Sequence, residues 1–76
     1  MDRDVAIRID GIAISVRSSL DGMARYMKDN LPPEDYARLI RSVGHSMADL
    51  VDLSTQLYAS FPDIVPKELV PPRSKG

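Results

Sequence analysis

A chain of 76 residues with a net charge of −1 and no cysteine is too short for a large core and excludes disulfides and thiolate metal sites. The near balance of acidic and basic residues gives no long-range attraction to nucleic acid or to an anionic membrane. The start of the chain lacks the features of a signal peptide, and no uncharged run approaches the ~18 residues that span a bilayer. We therefore expect a soluble, cytoplasmic protein.

The first segment, residues 4–17, fits two structures. Asp10-Gly11 stands between two alternating apolar runs, which is typical of a two-residue β-hairpin turn. The segment also fits a helix, because apolar residues recur in steps of three and four beyond its end: Val5, Ile9, Ile12, Val16, Leu20, Met23 and Met27. Length favours the helix, since a helix over about residues 4–29 matches the second helix end to end. A β-hairpin over residues 4–17 followed by two helices is the alternative.

The segment from Asn30 to Asp35 separates the two predicted helices. Asn30 suits a left-handed residue just past a helix end, and Pro32 disfavours helical geometry at Leu31. Pro33 fits the first position of a helix, where no amide hydrogen is needed. So short a connection predicts that the two helices are antiparallel neighbours.

The second helix, from Pro33 to Phe61, carries the clearest apolar stripe. Its apolar residues recur in steps of three and four, with Ser54 as the one polar interruption. The stripe consists of Tyr36, Ile40, Val43, Met47, Leu50, Leu57 and Phe61, flanked by Leu39, Val51 and Tyr58. Pro62 ends the helix. We predict an all-α antiparallel helical hairpin, with a single domain over residues 1–70 and a disordered, proline-rich tail over residues 71–76.

Two helices that touch along one seam leave much of each wide stripe uncovered. Pairing of two hairpins into a four-helix bundle would cover it, so we predict a homodimer. The methionines Met23, Met27 and Met47 are expected to point inward, where their flexible side chains fill gaps. Ile7 and Ile14 lie one heptad apart on the opposite side of the first helix. The candidate oligomer interface consists of Ile7, Ile14, Leu39, Val51 and Tyr58.

Catalytic and cofactor-binding motifs are not found in the sequence. It contains neither a nucleophile elbow nor a glycine-rich phosphate loop. His45, Asp49 and Asp52 share one helix face, but that face is opposite the apolar stripe, which predicts a solvated polar surface instead of a metal site. We predict that the protein is not an enzyme and holds no cofactor and no metal.

Four basic residues lie near the connection between the helices: Arg25, Lys28, Arg38 and Arg41. A phosphate-bearing partner could use such a patch, although neighbouring acidic residues neutralise much of it. The favoured function is a non-catalytic, homo-oligomeric helical interaction module, either an adaptor or a small regulatory protein. Its expected partner is a second copy, with another protein as a further candidate. The alternative is a nucleic-acid-associated regulator that uses the basic patch.

Overall fold

The structure, a computed structural model, describes residues 1–66. These residues form a hairpin of two long helices. Helix α1 covers Arg3–Asn30, helix α2 covers Pro33–Ser60, and a 3-10 turn follows at Pro62–Ile64. The helices pack against each other in antiparallel orientation, because residues near the start of α1 contact residues near the end of α2. The predicted helical hairpin is confirmed. The alternative β-hairpin over residues 4–17 is wrong, since these residues form one continuous helix.

Two predictions concern residues outside the described range. They are the end of the predicted domain over residues 1–70 and the predicted disordered tail over residues 71–76. Within residues 1–66, neither helix is apolar enough over a sufficient length to cross a bilayer.

The connection between α1 and α2 follows from its two prolines. Leu31 is extended, with φ −110° and ψ 147°, as expected for a residue before a proline, and its amide donates to the Met27 carbonyl at 2.9 Å. Pro33 opens α2 as predicted. The expectation of a left-handed Asn30 is wrong, because no described non-glycine residue has a positive φ. Asn30 ends α1 instead, and its side-chain amide donates to the Tyr26 carbonyl at 2.8 Å.

The apolar stripe predicted for α2 is confirmed. Every stripe residue from Tyr36 to Phe61 is buried or half-buried, and Ser54 lies in the same line. Of the flanking residues, Leu39 and Val51 are exposed and Tyr58 is half-buried. The face of α2 that meets α1 is therefore the face that its periodicity indicates.

Helix α1 meets α2 with a different face from the predicted one. The line that faces α2 starts with Ala6, Asp10 and Ala13, which are all buried, and continues through half-buried residues at heptad spacing: Arg17, Leu20, Ala24 and Met27. Most of the predicted stripe is exposed: Val5, Ile12, Val16 and Met23. The expectation that Met23 points inward is wrong, whereas Met27 and Met47 are half-buried.

The rotation of α1 has a physical reason in the residues on the two faces. Alanine side chains allow two helices to approach more closely than bulky side chains do. The same rotation brings Asp10 opposite Ser54, which interrupts the apolar line of α2 and needs a polar partner when buried. Ala6, Ala13 and the matched pair of Asp10 and Ser54 therefore form the seam in the first half of α1, and the bulky apolar residues of that half lie to one side.

Replacing Gly11 with alanine is expected to stabilise the protein by up to ~1 kcal/mol, because glycine is a poor helix former. Gly11 is exposed inside α1, and an added Cβ would meet no atom within 4 Å. Urea denaturation of the purified protein measures the change. Gly44→Ala in α2, where the added Cβ also meets open space, is the matched control and should shift stability in the same direction. A decrease for Gly11→Ala alone would contradict the continuous helix.

Candidate functional site: a buried polar cluster and an exposed apolar stripe

A buried cluster of three polar side chains joins the two helices. Asp10 is 4% exposed and Ser54 only 1%. The Ser54 hydroxyl donates to Asp10 Oδ1 at 2.7 Å, and the Tyr58 hydroxyl donates to Asp10 Oδ2 at 2.8 Å. Ser54 and Tyr58 are four residues apart on α2, so both side chains lie on the same side of that helix. One carboxylate therefore ties two successive turns of α2 to α1.

The geometry of this polar cluster suits a structural clamp. Hydroxyl donors to a carboxylate make short, charge-assisted hydrogen bonds, and each carboxylate oxygen here accepts one. Throughout the described residues, no buried side-chain nitrogen or oxygen lacks a hydrogen-bond partner. Two surface depressions of the hairpin, one beside Ile12 and one beside Leu53, are lined by other residues. The cluster can hold the helices in one register.

Burial raises the pKa of the Tyr58 phenol above its ordinary value of 10.0, and the hydrogen bond and negative charge of Asp10 raise it further. A raised pKa in the folded state means that the unfolded chain loses this proton first as pH increases. The stabilisation from the neutral phenol is therefore fully present below pH 10 and is lost as pH rises through the folded-state pKa.

Tyr58→Phe is expected to cost about 1–2 kcal/mol at neutral pH and to weaken the fall of stability at alkaline pH. The neutral-pH cost arises because the hydrogen bond to Asp10 disappears, and the weaker alkaline fall arises because phenylalanine does not ionise. Urea denaturation between pH 8 and pH 11 measures both effects. Tyr26→Phe, at an exposed tyrosine of α1, is the control that should keep the wild-type alkaline profile. An unchanged profile in Tyr58→Phe would show that Tyr58 does not cause the fall.

The four residues of the predicted basic patch divide between the two helices, Arg25 and Lys28 on α1 and Arg38 and Arg41 on α2. All four of its residues are exposed: Arg25, Lys28, Arg38 and Arg41. Arg38 Nη2 lies 3.4 Å from Asp35 Oδ1, so part of its charge is offset. At ~100° per residue, Arg38 and Arg41 lie about 140–160° around α2 from buried Val43. They therefore occupy the outer side of α2, away from the helix that carries the other two.

The three polar residues of α2 that share one helix face were examined in the sequence for a metal site, which the sequence does not predict. His45, Asp49 and Asp52 are exposed on α2. Among residues 1–66, no three side chains of the metal-binding types come together. Their arrangement is that of a solvated helix face.

The bulky apolar residues of α1 form the clearest exposed feature, which we name the α1 stripe: Val5, Ile9, Ile12, Val16 and Met23. Viewed along the helix axis, they lie within an arc of about 60°. The centre of this arc is rotated about 100° from the line of residues that faces α2. Ile9 is half-buried and shares a surface depression with Leu53 and Leu57, whose lining contains no charged side chain. The α1 stripe therefore lies on the same side of the hairpin as Leu53, and Leu39, two heptads before Leu53, lies there too.

The remaining predicted interface residues lie on the opposite side of the hairpin. Ile7 and Ile14 are exposed on α1, about 80° from the buried line in the other direction. Val51 is exposed, and Tyr58, one heptad later, reaches Asp10 from this side. The predicted oligomer interface is thus divided between two sides of the hairpin. Leu39 lies on the side of the α1 stripe, and its other four residues lie on the opposite side. Whether these residues contact a second chain stays a prediction.

Comparison with protein-family models, curated proteins and solved structures finds no match to this chain.

Sequence reasoning missed Asp10 as a partner of α2, because Asp10-Gly11 was interpreted through its turn-forming tendency. The available signal was Ser54, the one polar residue in the apolar line of α2. A polar residue in such a line needs a partner on the facing helix. Asp10 lies four residues after Ala6 and three before Ala13, so a search of α1 for an acceptor in line with its alanines would have identified it.

Proposed function

We propose that the protein is a non-catalytic helical interaction module that works by associating with a second copy of itself. The observation that carries the proposal is the exposure of the α1 stripe, in which Ile12 is 56% exposed. In the described part of the chain, the only apolar residues that are buried are Ala6, Ala13, Val43 and Leu57. A core of two alanines, one valine and one leucine is small, and it leaves the bulky residues of the α1 stripe largely in contact with water.

The exposed apolar side chains support association. Within residues 1–66, the members of the α1 stripe other than Ile9 are 40–56% exposed. Small domains without disulfides or metals commonly gain their missing stability by oligomerisation.

The proposal predicts a homodimer whose melting temperature rises with protein concentration, because the folded state is coupled to association. Light scattering on a sizing column gives the mass, and thermal unfolding over a hundredfold range of concentration gives the dependence. A cooperatively folded monomer, with a melting temperature that does not change over this range, would contradict the proposal.

The proposal includes a role as an adaptor or a small regulatory protein, and the cytoplasmic location is an expectation from the sequence. The alternative of a nucleic-acid-associated regulator gains no support from the arrangement of its four basic residues. Arg38 Nη2 lies 3.4 Å from Asp35 Oδ1, so part of its charge is offset. We therefore do not extend the proposal to nucleic acid.

A further inference from the structure

We propose that the second copy packs on the side of the hairpin that carries the α1 stripe, and not on the side of Ile7 and Ile14. This inference rests on the proposed self-association and names the surface that performs it. It differs from the interface predicted from the sequence, most of whose residues lie on the other side.

The first argument is the division of α1 into two apolar lines. In a four-helix bundle each helix contacts one neighbour in its own layer and one in the opposite layer, in directions roughly 90° apart. Ala6 and Ala13 face the neighbour in the same layer, α2. The α1 stripe is centred about 100° away, in the direction where the opposite layer of a bundle would lie. The small residues permit close approach within the hairpin, and the bulky ones remain for a second layer.

The second argument is the absence of charge from two heptad lines that carry exposed apolar residues on this side. The heptad line Val5–Ile12 continues to Ser19, and the line Leu39–Leu53 on α2 passes through Ser46, so the polar positions within these lines are uncharged serines. A two-fold axis places the same surface of each copy against the other. A contact along these lines would bring apolar residues and serines of the two copies together without placing like charges on each other, which makes a second copy a suitable occupant.

The third argument is that the chain itself occupies part of the opposite side. Arg3 Nε lies 2.6 Å from Asp63 Oδ2, and Arg3 is one helical turn before Ile7. This ion pair therefore brings the segment after α2 to the side of Ile7. Ile64 and Val65 in that segment are half-buried. A copy that docked there would compete with this segment, whereas within residues 1–66 no segment crosses the α1 stripe.

Two matched double variants test the assignment. Val5→Glu with Ile12→Glu places two charges one heptad apart on the α1 stripe, and Ile7→Glu with Ile14→Glu does the same on the opposite side. All four positions are exposed in the single hairpin, so the hairpin contacts themselves stay intact. We expect the first variant to lose the dimer, with its mass in light scattering halved at concentrations where the wild type is dimeric. The second variant should keep the dimeric mass.

A labelling experiment decides the question if the charged variants fail to fold. The chain has no cysteine, so Ile12→Cys and Ile14→Cys each introduce a single thiol. With a maleimide probe, labelling of Ile12→Cys should slow as protein concentration increases, and labelling of Ile14→Cys should not. Protection of Ile14→Cys, alone or together with Ile12→Cys, would overturn the assignment while self-association stands. A wild type that is monomeric at every concentration would instead overturn the proposed function.

Discussion

Replacing Ala13 with leucine is expected to lower the free energy of unfolding by about 1–3 kcal/mol. Ala13 is 3% exposed on the line of α1 that faces α2, and the added carbons have no room there unless the helices separate. In a domain of this size each kcal/mol shifts the melting temperature by roughly 4–8 °C, so the effect is easily measured by thermal unfolding or urea denaturation.

Ala48→Leu is the matched control for this substitution. Ala48 is exposed on α2, so the same change in volume should alter stability by less than ~0.5 kcal/mol. If Ala13→Leu were as stable as the wild type, the close seam of small residues would be wrong. The result would then favour a rotation of α1 that turns its bulky stripe toward α2.

Replacing Asp10 with alanine is expected to cost about 2–4 kcal/mol. The change removes the acceptor of two hydroxyl groups and leaves a small cavity in the seam. Tyr58 is half-buried and can turn toward water, but the Ser54 hydroxyl is buried and would lose its hydrogen bond. Urea denaturation measures the loss, and a double-mutant cycle with Ser54→Ala measures the coupling between the two side chains.

Two further variants separate the polar cluster from a general effect of charge. Asp21→Ala removes an exposed aspartate from the same helix and should change stability by less than ~0.5 kcal/mol. The triple variant Asp10→Leu, Ser54→Ala, Tyr58→Phe removes every member of the cluster and should recover most of the stability, since no buried polar group is left unpaired. If Asp10→Ala lowered the free energy of unfolding by less than ~0.5 kcal/mol, the polar cluster would not contribute to the stability of the fold.

The existence and orientation of the two helices could be predicted from the sequence because local rules decide the periodicity of α2 and the short connection. Pro32 and Pro33 restrict the backbone on both sides of the connection whatever surrounds them. The stripe of α2 has one uninterrupted heptad line apart from Ser54, so only one face can be its contact face. The continuous helix over residues 4–17 followed from the need to match the length of α2.

The rotation of α1 could not be predicted in the same way. Its alanine line and its bulky stripe both recur in steps of three and four and are displaced by about one residue, so periodicity does not choose between them. The choice depends on what faces the helix. Ser54 and Tyr58 supply hydroxyl groups that only Asp10 on the alanine line can accept, and alanines let the helices approach. The sequence by itself determined two antiparallel helices, and only the tertiary contact between them decided that the α1 stripe faces outward, because a buried carboxylate must meet its donors.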